Sequence, residues 1–565
     1  MFKASEIKAN AVSFCNKELI FAAKKSKICN VVSVKDIMHH GKEKQMAWYE
    51  EAVFYHIYPL GLLGAPEQNE HGAPEHRLRE LKDWIFHMKD CGFTALYFGP
   101  CFSSGSHGYD TTDYRIVDER LGDNDELKEF VRLCHDEGIR VILDGVFNHT
   151  GREFFAFRDL KENKENSQYK GWYSNVNFWG DNSYGDGFSY DNWGGHDLLP
   201  KLNLYEQEVR NYHFDTVRFW VSEFDIDGLR LDAADVLDQD FMRQLRGLAD
   251  GLKEDFWLMG EVIHGEYGRW VNEHTLHSVT NYALHKALYS GHNDRNYFEI
   301  AHTIRRQRDM GLGDSVHLYD FVDNHDVERI MTKLNDKRHF LPVHVLLYTL
   351  PGIPSVYYGS EFGLEGKKEW GSDASLRPAL SLAELDPQQN PWLQIIRALG
   401  DIYKEESALW YGDYREADLT NTRYAFLRGD LLVTVTNSDQ EEFFDLGLNG
   451  SYTGALHGRE IHSENGRLKF TLEGNSAEIW TPAAEKKQYQ PIHYEPQETI
   501  KEDVPEEMPQ RAEPGKSPEE MSVEELQAEV LARLAANGPV TDQMKREVKE
   551  NVYRDSLLNW VKSFR

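Results

Sequence analysis

Asp227-Gly228-Leu229-Arg230-Leu231-Asp232, followed by Ala233, Ala234 and Asp235, is the stretch that decides the fold. Leu229 and Leu231 alternate with Arg230 and Asp232, the period of two of a β-strand. Two leucines therefore face one side, and a cation and an anion face the other. Charges turned into a protein interior are costly unless the chemistry uses them. At two-residue spacing Arg230 can hold Asp232 ionised and aimed, as a carboxylate nucleophile requires. A structural ion pair at a strand end is the alternative for this stretch taken alone.

Seven apolar runs of similar length surround it in the chain: Val53–Tyr58, Ala95–Phe98, Val141–Val146, Trp257–Val262, Val279–Tyr282, Val316–Val322 and Ile353–Tyr358. Amphipathic stretches lie between most of them, such as Leu78, Leu81, Ile85 and Met88, or Leu127, Val131 and Cys134. Eight strands alternating with helices read as an α/β protein, a (β/α)8 TIM barrel over 48–149 and 205–405. The connection 150–204, rich in Gly, Asn, Asp, Trp and Tyr, reads as a loop domain inserted after the third strand. Pro391–Tyr403 is the expected last barrel helix. Short strand patterns over 406–482 predict a C-terminal antiparallel β-sandwich domain.

Residues 483–520 carry six prolines and twice as many acids as bases, the composition of a disordered linker. A helical hairpin is expected over 521–565. Ser522 and Glu525 form a capping box, and Val523, Leu526, Val530 and Leu534 make an apolar stripe. Gly538-Pro539 breaks the pattern, and Thr541 caps a second helix bearing Met544, Val548, Val552 and Val561. This helical extension is a candidate oligomerisation element. Residues 1–47 are an N-terminal extension, of which 1–45 holds nine Lys against four acids in an otherwise acidic chain. On the assumption of a bacterial gene, Met46 is the expected true start.

A net charge of −31 over 565 residues excludes nucleic acid and anionic membrane as natural partners. Aromatics at 12% suit a neutral ligand. The five cysteines form neither a disulfide framework nor a metal pattern, and no run spans a membrane, so reducing cytoplasm is the expected compartment.

Acids and imidazoles gather at the C-terminal ends of four strands, where barrel enzymes place catalysis. Val141 to His149 (VILDGVFNH) ends the third, Arg230 and Asp232 the fourth, Leu258-Met259-Gly260-Glu261 the fifth, and Phe321-Val322-Asp323-Asn324-His325-Asp326 the seventh. In order and spacing these four motifs resemble those of the α-amylase superfamily, glycoside hydrolase family 13, over about 48–482. The resemblance implies Asp232 as nucleophile, Glu261 as general acid/base and Asp326 as the carboxylate that stabilises the transition state. Arg230 would orient Asp232, and His149 and His325 would bind the sugar at the cleavage site. Asp373 and Arg377 match a further sugar-binding pair. Retaining glycoside hydrolysis needs one ionised and one protonated carboxyl, roughly 5–5.5 Å apart. Repulsion from Asp232 and Asp326 is expected to raise the pKa of Glu261, while Arg230 keeps Asp232 ionised.

Substrate class rests on the variable positions. Tyr109 looks like the aromatic platform under the cleavage-site glucose, and His107 resembles the imidazole of polymer- and oligosaccharide-cutting members. Leu199-Pro200-Lys201-Leu202-Asn203 and Glu261-Val262-Ile263-His264 resemble the neopullulanase and cyclomaltodextrinase branch, which adds His264 to the sugar-binding candidates. Most aromatics of the 150–204 insertion should form its core. Trp193, before Gly194-Gly195, is the one expected to touch substrate, with Trp270 a second candidate. No cofactor is expected. Asn148 alone resembles a ligand of the structural Ca²⁺ shared by many α-amylases, since Asp235-Val236 replaces a Lys-His pair and Asn203 an aspartate. The resemblance thus implies hydrolysis of α-1,4 bonds in maltooligosaccharides or cyclodextrins. An α-glucosidase, an oligo-1,6-glucosidase, a 4-α-glucanotransferase and a silent carbohydrate-binding scaffold stay open.

Overall fold

The computed structural model describes residues 46–312, 317–369, 372–385, 387–485, 487–492 and 521–537, with positions 548, 557 and 561. The proposed leader 1–45 lies outside the described residues. The chain divides into two compact units, Met1–Glu498 and Thr499–Arg565.

In the first unit, eight parallel strands form one sheet: β1 (Phe54–Ile57), β2 (Ala95–Phe98), β3 (Arg140–Gly145), β6 (Gly228–Leu231), β7 (Trp257–Gly260), β8 (Ser278–Val279), β9 (Tyr319–Phe321) and β10 (Ile353–Tyr357). Their order is β8-β7-β6-β3-β2-β1-β10-β9, and a Thr280–Tyr319 bridge closes it into a barrel. The expected run Val279–Tyr282 is strand only to Val279. The Asn281 side chain accepts the Leu284 amide, and that cap starts the helix Tyr282–Asn293. β4 (Asn192–Trp193) and β5 (His196–Pro200) form an antiparallel hairpin within the insertion, which also holds the helix Phe155–Asn163.

Alternation along the strands sorts side chains into two cores. Leu96, Phe98, Val141, Leu143, Leu229, Leu231 and Leu258 join the core that includes the barrel helices. Phe54, Ala95, Ile142, Trp257, Tyr319 and Ile353 fill the barrel with Tyr97, Met259 and Phe321. Its lower interior is aromatic, with Phe54 stacked on Trp257 at 5.0 Å and edge-on to Tyr319 at 5.5 Å. Trp257 leaves no room for a side chain at Gly228, where a Cβ would stand 2.5 Å from the Trp257 carbonyl oxygen. One step towards the C-terminal ends, the interior becomes polar. His56, Tyr97, Asp144 and Arg230 are all buried there, and Asp144 and Arg230 are direct register partners on β3 and β6.

Eight antiparallel strands, β11 (Tyr414–Leu419), β12 (Arg423–Arg428), β13 (Leu431–Thr436), β14 (Glu442–Leu446), β15 (Ser451–Gly454), β16 (Glu460–Glu464), β17 (Arg467–Leu472) and β18 (Ala477–Pro482), build the C-terminal sandwich in the order β11-β12-β13-β18-β15-β16-β17-β14. The sequence places a disordered linker from 483, yet its start is attached. Lys487 Nζ reaches Glu406 at 2.7 Å, Tyr489 donates to Glu406, and Ile492 is buried with its amide on the Leu456 carbonyl. These anchors hold the segment to the end of the last barrel helix, Pro391–Glu405, and to the sandwich. The rest of that linker lies outside the described residues.

In the second unit, helix Val523–Asn537 begins with the expected reciprocal cap: Ser522 N–H donates to Glu525 at 2.7 Å, and Glu525 N–H to Ser522 Oγ at 3.2 Å. Met521, Val523, Leu526, Val530 and Leu531 pack with Val548, Leu557 and Val561, which gives this unit its own small core. Most of the expected second helix lies outside the described residues.

Candidate active site

The barrel's C-terminal mouth is organised by one guanidinium. Arg230, 2% exposed, donates from Nη1 to Asp144 Oδ1 and Asp232 Oδ1, each at 2.9 Å. Its Nη2 lies 2.9 Å from Glu261 Oε2. Asp144 also accepts from Tyr97 OH at 2.8 Å and Tyr109 OH at 3.0 Å. Glu261 Oε2 takes a second donor, the Ala233 amide at 3.0 Å. Ala233 adopts a left-handed backbone (φ 46°, ψ 44°), a conformation a non-glycine residue holds at a cost of about 1 kcal/mol or more. The strain sits directly after Asp232.

Asp326 lies on a second cationic hub. Arg377 Nη2 reaches Asp326 Oδ1 at 2.8 Å and Asp373 at 3.2 Å, while its Nε donates to the His325 carbonyl. The Arg377 guanidinium lies over the Tyr58 ring at 4.6 Å. His325 Nε2 is 3.1 Å from Asp326 Oδ2, and its ring stacks on Tyr109 at 5.6 Å. Nearby, His107 Nδ1 accepts the Tyr109 amide at 3.2 Å. The His149 ring lies 5.9 Å from Trp193 at the tip of the β4–β5 hairpin.

Burial and the number of carboxylates set the charge states. Asp144, Asp232 and Glu261 are all pushed above the usual carboxylate range, chiefly by burial, against the opposing charge of Arg230. The sequence predicts this direction for Glu261, though from repulsion; in the structure desolvation is the larger cause and Asp326 the leading repulsion. For Asp232 the direction is opposite to expectation. Arg230 divides one charge among three carboxylates, so it does not by itself offset the burial of Asp232. Burial also opposes ionisation of Asp326, but His325, Arg377, Arg230 and Lys368 outweigh it and hold that carboxyl well below the ordinary range. Burial drives His149 and His325 down to about 3, which leaves both imidazoles neutral at pH 7.

Of the predicted site residues, Asp232, Glu261, Asp326, His107, Tyr109, His149, Arg230, His325, Asp373 and Arg377 line this mouth. His264 is exposed beyond Glu261. Trp270 is buried, whereas Trp193 is 40% exposed. Sequence reasoning assigned no role to His56, Tyr58, Asp144, Tyr282 or Asn324. Asp144 carried a readable signal, a carboxylate on the inward period of β3. Calcium finds a poor cradle at Asn148. Its Oδ1 is buried and unpaired, but the Asn203 amide nitrogen and oxygen are engaged by Gly171 and Tyr205, and Val236 offers no ligand. Among the described residues, the three-membered His/Cys/Asp/Glu cluster is His76, Asp123 and Glu126, outside this mouth.

Carboxyls able to hold different protonation states, set beside stacking rings and neutral imidazoles, can protonate a leaving oxygen while displacing at the adjacent carbon. That is the equipment of a glycoside hydrolase. Residues 78–398 match the family described as "Alpha amylase, catalytic domain", and the chain belongs to the α-amylase family. It is 30% identical over 440 residues to a cyclomaltodextrinase of a Bacillus species (73% of this chain, 77% of the relative). It is 32% identical over 469 residues to neopullulanase 2 of Thermoactinomyces vulgaris (75% and 76%). Among solved structures, a cyclomaltodextrinase aligns with TM-score 0.69 at 26% identity, covering 77% of this chain and 78% of that one. The debranching enzyme of Nostoc punctiforme aligns with TM-score 0.66 at 25% identity, covering 77% and 98%. No helix among the described residues is long and apolar enough to cross a membrane.

Proposed function

We propose that this enzyme hydrolyses α-1,4-glucosidic bonds of maltooligosaccharides or cyclodextrins with retention of configuration, in the cytoplasm. The observation that carries the proposal is the Arg230 fork, which gathers Asp232 and Glu261 within the span of a single guanidinium. A nucleophile and an acid held by one guanidinium suit the short carboxyl separation that retention uses, whereas inversion sets its two carboxyls farther apart to admit a water. The names of the relatives, cyclomaltodextrinase and neopullulanase among them, favour the substrate class.

In the first step an Asp232 oxygen attacks the anomeric carbon, and the bond to the glycosidic oxygen breaks. Glu261 gives its proton to that oxygen, so the leaving sugar departs as an alcohol. Positive charge developing on the ring carbon and ring oxygen is stabilised by Asp326, kept ionised by Arg377. In the second step Glu261, now a carboxylate, takes a proton from water as the water oxygen displaces Asp232. Tyr109, braced by Asp144 and His325, supports the ring from below.

The test is a product profile on maltotriose, pullulan, β-cyclodextrin and isomaltose, with Asp232→Ala as the blank. Maltose and glucose from maltotriose and β-cyclodextrin, and nothing from isomaltose, are expected. Activity on isomaltose alone would replace this reading with an oligo-1,6-glucosidase. Longer products from maltotriose in place of net hydrolysis would make it a glucanotransferase.

A further inference from the structure

We infer that Tyr282 is the positioning residue of the acid/base carboxyl, and that Oε1 of Glu261 is the oxygen that carries the catalytic proton. The inference rests on the reading of Glu261 as acid/base and extends it to a single atom. Glu261 Oε2 already accepts two hydrogens, from the Ala233 amide at 3.0 Å and from Arg230 Nη2 at 2.9 Å. A proton on Oε2 would face both donors, so it resides on Oε1. The partner of Oε1 is the Tyr282 hydroxyl at 3.4 Å.

The direction of that contact follows from its neighbour. Asn324 Oδ1 accepts the backbone amides of Asp326 at 2.9 Å and Val327 at 3.1 Å, which fixes the side-chain amide with its nitrogen outward. Asn324 Nδ2 then donates to the Tyr282 oxygen at 3.1 Å. With its oxygen occupied as an acceptor, Tyr282 has its own hydrogen free to donate towards Glu261. The relay runs from the Asp326 loop through Asn324 and Tyr282 to Oε1. Phe321 packs edge-on against the Tyr282 ring at 5.0 Å and fixes where the hydroxyl points.

A donor to a carboxylate favours its ionised form. Tyr282 therefore stabilises Glu261 as the base of the second step and holds the proton-bearing oxygen towards the substrate in the first. Burial pushes the Tyr282 phenol well above its ordinary range, so it stays a neutral donor throughout.

The experiment is the pH profile of kcat/KM on maltotriose for Tyr282→Phe, which keeps the ring and removes the donor. The alkaline limb, set by loss of the Glu261 proton, is expected to move up by about half a pH unit to one unit. With α-maltosyl fluoride, whose leaving group needs no proton, Glu261 acts only as the base, so the acid limb of kcat should move up by the same amount. Asn324→Asp keeps the two backbone contacts but turns an acceptor towards Tyr282. It should shift the limb in the same direction. A limb that superposes on wild type in both variants, whatever the activity, would overturn the inference. Glu261→Gln separates the two claims. Its inactivity on maltotriose upholds the acid/base reading even where Tyr282→Phe shifts nothing, and its full activity would sink both.

Discussion

Arg230→Lys keeps the positive charge at the barrel mouth and removes the fork. In the structure the guanidinium makes three contacts from two nitrogens: Asp144 and Asp232 on one, Glu261 on the other. An ammonium on a shorter stem is a compact point charge that cannot reproduce the planar fork. It should keep one of the three contacts well. Hydrogen bonds to charged groups contribute about 1.5–3 kcal/mol each, so losing two removes about 3–6 kcal/mol. At 1.36 kcal/mol per factor of ten, kcat/KM on maltotriose should fall by about 10² to 10⁴. The assay pairs initial rates with thermal unfolding, because the residue is buried and the barrel itself will also lose stability. A folded Lys variant within fivefold of wild type would show that the fork does not organise the reaction.

Asp227 opens the same stretch at the other end of β6 and makes a different kind of prediction. It accepts from His135 at 2.7 Å and the Val141 amide at 2.9 Å, with Arg140 and Lys253 beside it. Burial opposes its ionisation, yet these partners, His135 foremost, bring the pKa from 3.8 down to about 2. A depressed carboxyl stabilises the fold above its unfolded pKa and loses that contribution as pH falls through the folded value. The shift is worth roughly 2 kcal/mol, lost between about pH 4 and pH 2. Asp227→Asn should be less stable at pH 7 and lose less than wild type on acidification in urea titrations; parallel losses would refute the linkage. Trp193→Ala should cut kcat/KM on maltoheptaose roughly tenfold, about 1.4 kcal/mol, and leave p-nitrophenyl α-glucoside turnover unchanged. Equal losses on both would make Trp193 a structural support of its hairpin.

Much of this site was legible because its residues obey strand periodicity. Arg230 and Asp232 share the inward face of one strand, and each motif ends where the polar layer of the barrel begins. Sequence could not supply register. Asp144 meets Arg230 because β3 and β6 are neighbours, a tertiary fact, and that third carboxylate alters the charge state expected of Asp232. Tyr282 was hidden for a related reason. Its run read as strand, whereas the Asn281 cap turns the chain into a helix and points the phenol at Glu261. For His264 motif spacing gave the position but not the exposure, since the chain turns outward after Val262. The attached start of the linker escaped composition because a few contacts to Glu406 and Leu456 suffice to hold it.

The central claim is that Asp232 forms a covalent bond to the sugar while Glu261 moves the protons. The most direct test is mass spectrometry of Glu261→Gln incubated with α-maltosyl fluoride, whose departure needs no acid and whose adduct then lacks a base for hydrolysis. The account predicts a maltosyl ester on the peptide that contains Asp232, absent from Asp232→Ala carrying the same Glu261→Gln change. An adduct on another carboxylate, or no adduct together with β-maltose as the first product of the wild-type enzyme, would contradict it.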